Sequence, residues 1–237
     1  MGNKQIPFES LGYFHVYNHG NSQDIIFRKE DNYRYFLKKY AQYIHPIADT
    51  FAYCLMPNHF HVLLRLRDIE SIVNPQGFKN LAGLDNLAGL DNLAGLDNPK
   101  SLEIREKLEN NYSGYISQVF SNFLNAYAKA FNKMFDRRGS LFLDNIKRKK
   151  VENEQYFKNL VFYIHANPIH HGFVSNMEDW KFSSYNAFTS DKMTLLNKQK
   201  VLGWYENTNN FIDFHKQQLN CLKKNDLGML EFEDFLI

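Results

Sequence analysis

Two hydrophobic periods alternate along this 237-residue chain. GYFHVYNHG (12–20) changes polarity at every second position and ends in turn residues, which predicts a strand. EDNYRYFLKKYAQYI (30–44) sets Tyr33, Phe36, Leu37 and Tyr40 at helical spacing behind Asp31 and Asn32, which suit a helix start. TFAYCLM (50–56) and HFHVLLRLR (59–67) predict two more strands. Only Pro57 and Asn58 separate them, so they form an antiparallel hairpin. SGYISQVFSNFLNAYAKAFNKMF (113–135) predicts a long helix with Phe120, Phe123, Leu124, Tyr127, Phe131 and Met134 on its apolar stripe, ended at Gly139. SLFLDNIKRKKV (140–151) predicts a strand, and ENEQYFKNLVFYIHANP (152–168) a helix stopped by Pro168. EDWKFSSYNAF (178–188) predicts a docking segment anchored by Trp180 and Phe182, with a helical stretch near 211–222 after it. This order predicts an α+β, ferredoxin-like antiparallel sheet with helices packed on one face, plus a C-terminal helical extension.

One segment breaks the pattern. Residues 80–97 read NLAGLD three times without a difference. Packing does not demand such identity, because core positions tolerate similar residues. Each copy carries turn formers, and three copies of six residues are too few for a solenoid. We read 69–100 as an insertion loop left by a tandem duplication.

Composition narrows the class. Hydrophobic residues make up 44% and charged residues 23%, as in a soluble globular protein. Two cysteines, Cys54 and Cys221, exclude a disulfide framework and a cysteine metal cluster, and favour a reducing cytoplasm. No basic-then-apolar leader is visible, and no apolar run approaches about 18 residues, so neither secretion nor a membrane span is expected. The net charge of +2 hides an asymmetry: residues 129–150 hold eight bases against two acids. Such a segment suits a phosphate-binding surface, and equally a solvated face.

The chemistry sits elsewhere. His59 and His61 leave one face of their strand while Phe60, Val62 and Leu64 leave the other. Two imidazoles on one face suit a metal, and also two satisfied structural histidines. In the helix before Pro168, Tyr163 and Asn167 stand four apart, rotated by about 40°, while Phe157, Leu160, Val161 and Ile164 form another face about 120° away. Tyr163 and Asn167 are therefore expected to point out of the core. Tyr127 is the rival tyrosine, but it lies inside an apolar stripe. A metal, a tyrosine and basic residues together suit phosphodiester cleavage, since a nearby cation lowers the cost of a phenolate nucleophile.

YCLMPNHFHVLLRL, GSLFLDNIKRKKV, YIHANPIHHGFV and WKFSSYNAF occur in that order over residues 6–189. Together they resemble the IS200-like transposases, and most of all the REP-associated tyrosine transposases of the HUH endonuclease superfamily. The resemblance implies a transposase domain over 6–189 and an extension of unassigned role over 190–237. It makes His59-Phe60-His61 the HUH motif, Tyr163 the nucleophile and Asn167 the third metal-assisting side chain. It implies Mg2+ or Mn2+ as cofactor, single-stranded or hairpin DNA as partner, and cleavage beside a hairpin through a 5′-phosphotyrosine. Arg137, Arg138, Lys147, Arg148, Lys149 and Lys150 would hold the DNA backbone, although the strand period puts Lys147 and Lys149 opposite Arg148 and Lys150. His170 and His171 are expected to be exposed loop residues. The repeat insertion is no part of the family pattern. A monomer and a homodimer both remain open, as does a hairpin-binding regulator without catalysis. A hydrolase of small phosphoesters would have no use for the basic segment.

Overall fold

The computed structural model describes residues 6–74, 99–143 and 145–224. Its elements are β1 (Tyr13–His19), α1 (Glu30–Tyr43), β2 (Ala48–Met56), β3 (His59–Leu66), α2 (Ile69–Val73), α3 (Pro99–Met134), β4 (Lys147–Val151), α4 (Glu154–His170), α5 (Tyr185–Phe188), α6 (Lys198–Trp204) and α7 (Thr208–Lys224). The strands form one antiparallel sheet in the order β2-β3-β1-β4, so the two central strands are β3 and β1. This is the expected α+β arrangement. No helix among the described residues is long and apolar enough to cross a membrane.

Both faces of the sheet are covered. Phe14, Val16, Phe60, Val62 and Leu64 pack against Phe36 of α1 and Phe120, Phe123 and Tyr127 of α3. The sequence predicts helices on one face only; α1 and α3 take this face, and α4 corrects that expectation by packing on the other. On the other face Ala52, Cys54 and Leu63 meet Phe157, Leu160, Val161 and Ile164 of α4. Burial on both sides explains why β3 reads as a nearly unbroken apolar run. α4 is covered in turn by Val201, Tyr205 and Phe211, so residues after 189 share its core.

A one-way chain of hydrogen bonds fastens this layer. Burial keeps His165 and His215 neutral by pushing their pKa values down, that of His215 to about 3. The Phe211 carbonyl only accepts, so His215 Nδ1 donates to it at 2.8 Å. His215 Nε2 then accepts from His165 Nδ1 at 3.0 Å, and His165 Nε2 accepts from the Ser184 hydroxyl at 2.8 Å. Ser184 Oγ accepts from the Tyr53 N–H at 2.9 Å, which ties β2, α4 and α7 together.

Local details differ from the pattern reading. α3 starts at Pro99 rather than near Ser113, as two helices merged across Asn111 (φ −157°, ψ 77°). Asn111 caps the second of them by accepting the Gly114 N–H at 2.9 Å. A Cβ on residue 114 would lie 2.3 Å from the Asn111 amide nitrogen, so a side chain there would displace the Asn111 cap. Residues 69–73, expected as loop, form α2, because Asp68 caps it through the Ser71 N–H and Ile72 and Val73 are buried. The NLAGLD copies lie outside the described residues. β4 is shorter than predicted: it begins at Lys147, and among the described residues before it Phe142 makes an isolated bridge to Gly20. Pro168 lies inside α4 instead of ending it, since in the last turn it removes one donor only. The His171 and Phe173 N–H groups close that end on Asn167 and Pro168 carbonyls.

Candidate active site

Strand register assembles the polar patch. Across β3 and β1, His59 stands opposite His19 and His61 opposite Tyr17, while His15 lies one diagonal away beside Leu63. β4 continues these rows, with Lys147 opposite Tyr17 and Lys149 opposite His15. One sheet face therefore carries His15, Tyr17, His19, His59, His61, Lys147 and Lys149. α4 lies over that face and brings Tyr163 and Asn167 down onto it.

The orientation of this pair is a correction to the sequence reading. Asn167 is 1% exposed and points at the sheet instead of out of the core. The second apolar layer causes this: α6 and α7 cover one side of α4, and the sheet receives the other.

Contacts within the patch are short. His59 Nε2 lies 2.9 Å from Asn167 Oδ1, and His59 Nδ1 lies 2.7 Å from Asn58 Oδ1. His61 Nδ1 lies 3.0 Å from His15 Nε2. The Tyr163 ring stands edge-on to His61 at 5.3 Å and to His15 at 6.1 Å between centroids. His19 stacks on His59 at 4.8 Å, and His171 meets the same ring at 5.0 Å. Burial lowers the His59 pKa to about 4, opposed only in part by the Asn167 hydrogen bond. Burial, with the neighbouring imidazoles adding to it, holds His61 well below the ordinary range. These imidazoles are therefore neutral at pH 7, the state in which they can ligate a metal.

The donor set can be tested against a divalent cation. When His59 Nδ1–H donates to Asn58, the Nε2 lone pair faces the Asn167 carbonyl oxygen. A cation shared by both atoms would relieve that repulsion. The Nε2–Oδ1 separation of 2.9 Å is short enough for the two atoms to be ligands of one cation. Among the described residues Asn167 Nδ2 is buried without a hydrogen-bond partner, which also marks this amide as unusual. The set fits in kind and spacing but is short of anionic oxygen: among the described residues no group of three His, Cys, Asp or Glu is placed to hold a metal. Phosphate and water oxygens would have to complete the shell.

The six basic residues separate. Lys147 and Lys149 share the histidine face, and Arg138 is exposed on the loop after α3. Arg148 lies across the Phe8 ring at 4.0 Å and donates to the Ile6 carbonyl, and Lys150 pairs with Glu9 at 2.6 Å, both on the opposite face. Arg148 also lines a groove of about 420 Å³ between α3 and residues 139–146, together with Lys129 and Asn125. Arg137 is engaged inside the protein by Asp24 and by the Ser140 and Gly139 carbonyls, which corrects its reading as a backbone-holding residue.

Tyr127 is 1% exposed in the opposite core and donates to the Ile26 carbonyl, as its stripe position predicted. Burial drives its pKa upward. His170 is the last residue of α4 and half-buried, not a loop residue; His171 follows the helix and is exposed, as expected, and its ring reaches the patch. The sequence reading missed His15, Tyr17 and His19. Their two-residue alternation was visible in β1, but only register set it beside β3.

No family model matches the chain, and no curated protein matches it. A solved structure of the REP-associated tyrosine transposase bound to a REP hairpin is similar to it, with 13% identity, a TM-score of 0.47, and cover of 81% of this chain and 87% of the other.

Proposed function

We propose that the protein is a metal-dependent single-stranded DNA endonuclease and strand transferase of the REP-associated tyrosine transposase type. The observation that carries this reading is the convergence of His59, His61, Asn167 and Tyr163 from β3 and α4 onto one buried polar face.

In this reading Tyr163 Oη attacks a phosphorus of the strand, the phenol proton leaves to solvent, and the 3′-oxygen departs as a free 3′-OH after protonation. The 5′-phosphate stays on Tyr163 as a phosphotyrosine ester, so a 3′-OH can reverse the step and join strands. His59, His61 and Asn167 would hold Mg2+ or Mn2+, which would polarise the scissile phosphate and offset charge on its oxygens. The edge-on imidazoles of His61 and His15 hold the Tyr163 ring in place. Lys147 and Lys149 meet the phosphates on either side of the cleaved bond.

The test is incubation of the full chain with a hairpin-bearing single-stranded oligonucleotide and Mn2+. The expected result is a covalent adduct on a denaturing gel, mapped by mass spectrometry to Tyr163. Stable hairpin binding with no adduct under Mg2+ or Mn2+ favours the other reading, a hairpin-binding regulator without catalysis. The lack of a carboxylate in the donor set is the observation on that side.

A further inference from the structure

His15 and His61 lie on neighbouring strands, on one face and one diagonal step apart. His15 Nε2 is 3.0 Å from His61 Nδ1, and both side chains are buried. Two neutral imidazoles share one hydrogen bond here, so one nitrogen donates and the other accepts. Burial first, and then the Lys149 ammonium, keep His15 neutral, so its ring retains a lone pair. Among the described residues the other nitrogen of His15, Nδ1, is buried without a hydrogen-bond partner. Among the described residues the contact with His61 is thus the hydrogen bond that orients the His15 ring, and stacking on Tyr17 at 4.8 Å sets its plane.

His61 has two neutral forms. With hydrogen on Nε2, neither nitrogen is open to a metal, because His15 covers Nδ1. With hydrogen on Nδ1, His61 donates to His15 and its Nε2 lone pair is available. We propose that His15 is a positioning residue that accepts the His61 Nδ1 proton and holds His61 in the form whose Nε2 takes a divalent cation. This rests on the cation reading of the site given above. Partners of this kind raise ligand basicity and fix ring orientation, and losing one typically costs 10–100-fold in metal affinity.

The test uses the full chain without DNA. Mn2+ alone is titrated and free Mn2+ read by electron paramagnetic resonance, while the His61 tautomer is read in metal-free protein by long-range 1H–15N NMR. The His61 Nδ1–H form is expected in the wild type. In His15→Gln the amide oxygen stands near the position of Nε2, so the tautomer and the Mn2+ affinity are retained. In His15→Leu the acceptor is gone, the tautomer signature changes and Mn2+ affinity falls about 10–100-fold. A wild-type His61 in the Nε2–H form overturns the proposal without any variant. So does a folded His15→Leu protein with unchanged tautomer and unchanged Mn2+ affinity. Wild type that holds the Nδ1–H form but takes up no Mn2+ overturns the cation reading itself, and with it the purpose assigned to His15.

Discussion

His59 and Asn167 are separated by 108 positions in the chain, yet His59 Nε2 lies 2.9 Å from Asn167 Oδ1. β3 and α4 have to be docked correctly for this contact to exist, so it reports both the fold and the site. Replacing Asn167 by Ala removes the amide oxygen that faces His59 Nε2. The expected result is weaker Mn2+ binding and weaker cleavage, read by titration and by adduct yield. Asn167→Asp supplies the missing anionic oxygen and should bind Mn2+ more tightly than wild type in a calorimetric titration.

The two candidate tyrosines can be separated directly. Tyr163→Phe should remove the covalent DNA adduct while leaving the fold intact. Tyr127→Phe should keep the adduct and lower stability by about 1 kcal/mol, because it loses the buried bond to the Ile26 carbonyl. An adduct that survives Tyr163→Phe and disappears in Tyr127→Phe reverses the assignment.

Acid should weaken the α4 layer in a defined direction. An unburied histidine has a pKa near 6.5, and the fold keeps His165 and His215 neutral well below it, His215 down to about 3. The unfolded chain therefore takes up these protons first. Stability present above pH 6.5 should decline as pH falls, by about 1.4 kcal/mol per pH unit for each histidine, and the decline due to His215 should level off near pH 3. Thermal midpoints measured from pH 7 to 4 check this, and a flat profile would contradict it.

The basic residues should differ in how they respond to salt. Lys147→Ala and Lys149→Ala should each weaken single-strand binding and reduce the slope of log K against log salt by about 0.7. Arg137→Ala should leave that slope nearly unchanged but cost about 1–3 kcal/mol of stability, since its guanidinium is engaged by Asp24 and neighbouring carbonyls. Fluorescence anisotropy over a salt series distinguishes the two behaviours.

A fragment ending at residue 189 should not unfold cooperatively. It would uncover the side of α4 that Val201, Tyr205 and Phe211 bury, and it would cut the hydrogen-bond chain at His165. Increased binding of a hydrophobic dye and loss of a sharp thermal transition are the expected readouts.

Much of this was legible in the residues. Alternation placed β1, β2 and β3, the Pro57–Asn58 turn set the hairpin, and the i, i+4 spacing put Tyr163 and Asn167 on one side of their helix. These are short-range properties: side-chain period and turn chemistry depend on neighbours in sequence. The first part of α3, before Asn111, escaped because its apolar stripe is sparse and a cap interrupts the helix.

The sequence by itself determined which residues leave an element together. Only the tertiary structure decided which way each group faces and what it meets. Tyr163 and Asn167 turn inward because α6 and α7 compete for the other side of α4, a contact made by residues more than thirty positions downstream. His15 joins His61 because β1 pairs with β3 in a register that places His61 opposite Tyr17, and a shift of one residue would send the histidines of β1 to the far face. Arg137 and Arg148 carry the same charge as Lys149 in the chain, but the fold engages the two arginines within the protein and leaves the lysine on the histidine face. Charge and period are local. Docking of a helix and registry between strands are set by the burial of surfaces far apart in sequence.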